Sequence, residues 1–152
     1  MSLAVPRSGH TTTLVTANLP PWPRYASVDN VVSAVCHCLN CRRVTGSAFL
    51  CASICPRDGF RITAGEEHQK VFLDTNTESG TGLKRVSCDQ CASKLFAYTP
   101  LWDEIVSVAA GTLDDFDSWT PDTEQWCIDR VPFVKRLPAV PEERSFAEAV
   151  TK

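Results

Sequence analysis

Cys36-His37-Cys38-Leu39-Asn40-Cys41-Arg42-Arg43-Val44-Thr45-Gly46-Ser47 places three cysteines within six residues and follows them with two arginines and a Thr-Gly-Ser turn. Cysteines this close cannot easily form unstrained disulfides with one another. As thiolates on a tight turn they can converge on one soft or borderline metal ion, and zinc is the usual one. A second pair, Cys88 and Cys91, sits about fifty residues later with two residues between its members. Five of the eight cysteines therefore stand in metal-ligand spacing.

Outward from this stretch the chain reads as short strands. Val28 to Val35 delivers the backbone into the cysteine cluster, and Arg42 to Ser47 is a turn with Gly46 at its positive-φ position. Ala48 to Cys55 is an apolar run of strand length ended by Pro56. Phe60 to Thr63 and Lys70 to Leu73 are further short strands, and Asp74 to Gly82 is a polar loop. Arg85 to Ser87 and Lys94 to Tyr98 flank the second cysteine pair, which makes that pair a hairpin tip. Glu104 to Ala110 is another strand, and Gln125 to Val131 is expected to be the last. Before the cluster, Thr11 to Leu19 reads as a first strand stopped by Pro20-Pro21-Trp22-Pro23. Pro141 opens a short helical tail through Val150. Many short strands with one terminal helix give an all-β, single-domain fold. Its parts are a flexible arm over 1–8, a zinc-binding domain over 9–138 and a helical tail over 139–152.

Composition narrows the function. A chain of 152 residues suits one domain with a real core. A net charge of -3 argues against a general nucleic-acid binder. Nothing approaches the roughly 20 apolar residues of a membrane span, and the N-terminus has no apolar run of signal-peptide length. The expected compartment is cytoplasmic, where clustered cysteines point to metal or catalysis rather than disulfides. From Asp103 to Asp129 there are eight acids and no base, which reads as a solvated face.

The cysteines allow two arrangements. In one, Cys36, Cys38 and Cys41 hold a zinc whose fourth position stays open to water or a substrate thiol, as in a catalytic centre. A thiol bound there would be deprotonated near neutral pH, which points to chemistry at carbon–sulfur bonds. Arg42 and Arg43 would then hold a substrate carboxylate, or simply be solvated charge. In the other, Cys38, Cys41, Cys88 and Cys91 close a four-cysteine structural ribbon and Cys36 is spare. Spacing alone leaves both open and leans toward the ribbon.

The stretch from Cys36 to Phe49 resembles the C-x-C-x-x-C-R-R-x-T-G-S-x-F motif of the glutathione-dependent formaldehyde-activating enzyme family, which includes centromere protein V. Cys88-Asp89-Gln90-Cys91-Ala92-Ser93-Lys94-Leu95-Phe96 resembles its C-x-x-C-G-S-x-L-F motif, with Ala92 in the glycine's place. Ala109 to Asp115 resembles its G-T-L-D-D segment, and Val131-Pro132-Phe133 stands where the family often has Pro-Trp. The resemblance spans about residues 9–138. It implies a β-tent of stacked antiparallel sheets and a catalytic zinc on Cys36, Cys38 and Cys41. It also implies a structural zinc on Cys88 and Cys91 completed by an early C-x-C. The implied reaction is that of a carbon–sulfur lyase acting on adducts of glutathione and an aldehyde. The early C-x-C is missing: His10 and Thr12 occupy those positions, so the second zinc is in question.

Three functions follow as expectations. The first is a zinc-dependent lyase acting on glutathione or other thiol adducts of small aldehydes or electrophiles. Its site would comprise Cys36, Cys38, Cys41, Arg42 and Arg43, bordered by Ser47. The second is a repurposed isomerase, dehydratase or cyclase of a reactive small molecule. The third is a non-catalytic, zinc-stabilised binding protein. Beyond zinc, the expected partner is a small molecule, with no nucleic acid and no membrane. His37, between two cysteines, must point away from a metal they hold, and it is read as a supporting or substrate-facing residue. Cys51, Cys55 and Cys127 read as small core residues, His68 as surface, and Asp114 and Asp115 as turn caps or a general base. Trp22, Trp102, Trp119 and Trp126 read as core or loop anchors.

Overall fold

The computed structural model describes residues 24–26, 32–77 and 79–137. Among these lie nine strands: β1 (Arg24–Ala26), β2 (Val32–Cys36), β3 (Leu50–Pro56), β4 (Arg61–Ala64), β5 (Gln69–Asp74), β6 (Leu83–Cys88), β7 (Lys94–Thr99), β8 (Trp102–Ala109) and β9 (Thr123–Gln125). One α-helix, α1 (Leu39–Thr45), accompanies them. The fold is all-β, as the succession of short strands implies. Strands β1 and β4 pair as a two-stranded sheet, and the other seven form one sheet in the order β5-β6-β7-β8-β3-β2-β9. Its pairs are antiparallel except β2 with β9, so one parallel pair joins the expected antiparallel arrangement.

Burial follows sheet position. All five residues of β2 are buried, and Ala52 to Cys55 of β3 are buried without alternation. Such runs belong to strands covered on both faces. The edge strand β5 exposes Lys70 to Leu73. The main apolar cluster joins Cys55, Val86, Leu95, Phe96, Val106, Val108 and Leu113, with Phe60 edge-on to Phe96. Cys51 and Cys55 share this side of β3, as their four-residue spacing predicts.

Two expectations are corrected. The expected turn over Arg42 to Ser47 is largely helix: α1 runs from Leu39 to Thr45, and only Gly46 turns, at φ 60. Gly46 closes the helix in the left-handed conformation that favours glycine. The last strand ends at Gln125, not Val131. Its partner β2 ends at Cys36, opposite Gln125. The chain then leaves the sheet at Trp126, with φ 57, into a 3-10 turn over Cys127–Asp129. No helix among the described residues is long and apolar enough to cross a membrane. The arm over 1–8, the Thr11 to Leu19 strand, His10, Thr12, Trp22 and the tail helix lie outside the described residues.

Candidate metal centre

The three-cysteine stretch is positioned by the end of β2 and the start of α1. Cys36 is the last residue of β2, paired with Leu50. Cys38 is the N-cap of α1, and its sulfur accepts the Cys41 N–H at 3.3 Å. Cys41 lies in the first turn. Thr45 donates its hydroxyl to the Cys41 carbonyl at 2.7 Å, tightening the short helix. The sulfurs of Cys36, Cys38 and Cys41 all lie within 4.8 Å of one another. Tetrahedral zinc with Zn–S bonds of about 2.3 Å separates its sulfurs by about 3.8 Å. The donor set therefore fits a metal ion with little movement.

The thiols are strongly coupled. Hydrogen bonds from Cys36 and then Cys41 hold Cys38 down at about 2, against its partial burial. Cys36 is raised, first by its bond to Cys38, then by Cys41 and by burial. At Cys41 the bond with Cys36 lowers the value, but Cys38 and burial outweigh it and push the thiol up to about 11. A bound cation would stabilise all three as anions.

Lys94 is the first residue of β7. Its ammonium is buried and has no hydrogen-bond partner among the described residues. Burial pushes it down to about 8, and Arg85 acts the same way, while Cys41, Asp74 and Cys36 pull upward. Arg85 is itself paired, with Nε and Nη2 each 2.8 Å from Asp74 Oδ2. Of the two arginines beside the cysteines, Arg42 is half-buried and donates Nη1 to the Asp129 carbonyl at 3.2 Å. Arg43 and Ser47 are exposed.

His37 turns away from solvent entirely. It is 0 % exposed, and its Nε2 lies 2.9 Å from Glu124 Oε1. It therefore supports the site and does not face substrate. The other Glu124 oxygen meets Arg130 Nη2 at 3.3 Å and accepts the Leu137 N–H at 3.3 Å. His37, Glu124 and Cys127 bring donor atoms within 4.8 Å of one another. The arginine on Glu124 favours an ion-pair clasp over a second cation there. Of the eight acids between Asp103 and Asp129, seven are exposed as expected, and Glu124 is the buried exception. Cys127 sits at the edge of this clasp and is only half-buried.

The second knuckle is a hairpin tip, as its flanks predict. Ala92 N–H bonds the Cys88 carbonyl and Cys88 N–H bonds the Ser93 carbonyl, both at 2.9 Å. Ala92 stands at φ 61, where glycine would sit without strain. Cys88 is buried and Cys91 exposed. Burial raises Cys91, but bonds with Ser93 and Cys88 outweigh it and lower the thiol. Cys88 and Cys91 do not join the group formed by Cys36, Cys38 and Cys41. The closed ribbon of Cys38, Cys41, Cys88 and Cys91 is thus not assembled. Asp114 and Asp115 are exposed, with Asp115 Oδ2 taken by the Ser118 hydroxyl at 2.6 Å. His68 is partly covered and lies 3.2 Å from Asp89. Trp119 anchors its loop by donating Nε1 to Ser53 at 2.9 Å. Sequence reasoning missed Lys94, Arg85 and Glu124. The signal for Lys94 was its place as the third residue after Cys91, opening a strand that leads back into the core.

The profile of the family described as "Glutathione-dependent formaldehyde-activating enzyme" matches residues 24–129. A Halomonas elongata protein named "Putative glutathione-dependent formaldehyde-activating enzyme" is 24% identical over 115 residues, covering 74% of this chain and 71% of that protein. The crystal structure of a Rhodobacter sphaeroides protein superposes with a TM-score of 0.49 at 18% identity, over 61% of this chain and 81% of that one. With the family profile covering most of its length, this chain belongs to the glutathione-dependent formaldehyde-activating enzyme family.

Proposed function

We propose that this protein is a zinc-dependent enzyme making or breaking the carbon–sulfur bond of adducts between a thiol and a small aldehyde. Glutathione and formaldehyde are the pair that the family description suggests. The observation that carries the reading is the convergence of the Cys36, Cys38 and Cys41 sulfurs on one point. Zinc held there would stabilise a substrate thiolate and polarise an aldehyde oxygen. In the forward direction the thiol sulfur bonds to the aldehyde carbon, the carbonyl π pair moves to oxygen, and the thiol proton ends on that oxygen.

The chain's own residues would supply the frame. Cys36, Cys38 and Cys41 fix the centre, and His37, clamped by Glu124, locks the backbone between the first two. Exposed Arg43, and the guanidinium edge of Arg42 not engaged by Asp129, supply cationic groups for the carboxylates of glutathione. Ser47, exposed just past the end of α1, is proposed to border the substrate. Cys88 and Cys91 are proposed as ligands of a separate structural zinc. The compartment is proposed to be cytoplasmic.

The test combines zinc content with exchange between formaldehyde and its glutathione adduct, followed by NMR. Wild type should hold zinc and accelerate the exchange, and Cys36→Ser should hold one zinc fewer per chain and lose the exchange. A Cys36→Ser variant with unchanged zinc and rate would sink the reading. Zinc lost in Cys36→Ser, with no exchange catalysed by wild type, would favour the same centre acting on another electrophile. The replaced early positions, His10 and Thr12, are the feature that keeps such a repurposed enzyme in view.

A further inference from the structure

Strand β5 has the apolar run of an interior strand but stands at the edge of the sheet. It pairs with β6 on one side, and among the described residues no strand pairs with its other side. Val71, Phe72 and Leu73 follow one another and are 54%, 63% and 52% exposed. Successive strand residues point to opposite faces, so apolar groups are bared on both. Edge strands are normally protected by shortness, proline or a bulge. β5 has six residues, no proline and an unbroken register with β6, whereas the β6–β7 and β7–β8 pairings are irregular.

The backbone shows which groups face outward. Asp89 donates its N–H to the His68 carbonyl at 2.9 Å, and the Ser87 hydroxyl donates to the Lys70 carbonyl at 3.5 Å. The direction alternates along an antiparallel ladder. Lys70, Phe72 and Asp74 therefore turn their N–H and C=O groups to β6, and Gln69, Val71 and Leu73 turn theirs to the open edge. An antiparallel copy of β5 centred on Phe72 matches this alternation. Val71 then meets Leu73 of the second copy, and Leu73 its Val71, each pair exchanging both backbone bonds. Phe72 meets its own counterpart where side chains stand closest. Lys70 meets Asp74 of the second copy. Asp74 gives Oδ2 to Arg85 and accepts the Asn76 N–H at 3.2 Å on Oδ1, which keeps capacity for the lysine. Centring the pair on Lys70 would instead set like charges together.

We propose that two copies of this chain associate edge to edge through β5, antiparallel about Phe72, making one continuous sheet across a two-fold axis. The charges flanking the apolar run select this register. The axis uses the open β5 edge of both copies, so assembly closes at two chains. Strands of six residues bury less than a standard interface, so the dimer is reversible and depends on concentration. The pairing is independent of the metal centre.

Sedimentation equilibrium of the full chain over a concentration series, in reducing buffer, tests the pairing. The wild-type mass should rise from one chain toward two and no further. Val71→Pro removes an N–H that β6 does not use, so the variant should fold and lose dimerisation. Lys70→Glu, at an exposed position, sets an acid against Asp74 at both ends and should weaken association about 10-fold. It keeps the test decisive where the proline variant does not fold. A wild type that stays monomeric, or that assembles beyond two chains, overturns the proposal. So does a dimer that either folded variant leaves unchanged.

Discussion

Ala92 carries a conformation that suits glycine. Its φ of 61 lies in the left-handed region, and its side chain is exposed, so nothing is gained by the methyl group. That conformation costs an L-residue roughly 1–2 kcal/mol, partly offset by the smaller entropy loss of a non-glycine residue. Ala92→Gly should therefore raise stability by about 0.5–1 kcal/mol, read as a higher urea midpoint at unchanged slope. A lower midpoint would mean that the hairpin tip does not hold residue 92 in this conformation. At this scale the three-sulfur cluster was legible in the sequence. Six consecutive residues determine it, and local geometry does the rest. Lys94 was not legible. Its burial depends on the β6–β7 register, which no spacing rule reports.

Helix α1 and strand β9 both adjoin the end of β2 at Cys36, and each hangs on one local feature. Gly46 ends α1 at φ 60, and an added Cβ there would meet nothing within 4 Å. Gly46→Ala should thus cost about 1 kcal/mol through backbone strain alone, without a steric clash. A much larger loss in urea unfolding would show a packing role instead. Strand β9 is held by side chains as much as by its ladder. Asp122 Oδ1 accepts the Ser33 N–H at 3.2 Å, and Glu124 joins His37, Arg130 and the Leu137 N–H. Glu124→Gln removes the charge but keeps the shape, stranding Arg130 beside a buried amide. Breaking one side of a buried pair typically costs about 3–5 kcal/mol. Arg130 is partly exposed, so a loss of about 3 kcal/mol is expected. A change under about 0.5 kcal/mol would show that the clasp carries no load. The sequence marked the acidic run but not its one buried member. That distinction depends on a parallel pairing between β2 and a strand 87 residues further along, which periodicity does not reveal. The helix was misread as a turn for a simpler reason: seven residues without an apolar stripe carry no helical period.

For the whole molecule, the cysteine centre lies at the end of a strand that is paired on both sides. β2 is flanked by β3 and β9, and its last residue is Cys36. Removing a metal there leaves three buried or half-buried thiols crowded at an interior strand end, not at a frayed edge. Loss of metal should therefore lower the stability of the whole fold cooperatively. At a free zinc concentration a hundredfold above the dissociation constant, binding contributes about 2.7 kcal/mol. For a chain of 152 residues that corresponds to a rise in Tm of about 5–10 °C. Thermal scans in reducing buffer, zinc-loaded against chelator-treated, should show that difference in wild type. Cys36→Ser should lose most of that difference. Cys91→Ser, altered at the exposed hairpin tip and outside the sulfur cluster, should keep most of the shift. If chelation leaves the wild-type Tm unchanged, the interior centre is not a metal site. If Cys91→Ser loses the whole shift while Cys36→Ser keeps it, the stabilising ion belongs to the second knuckle.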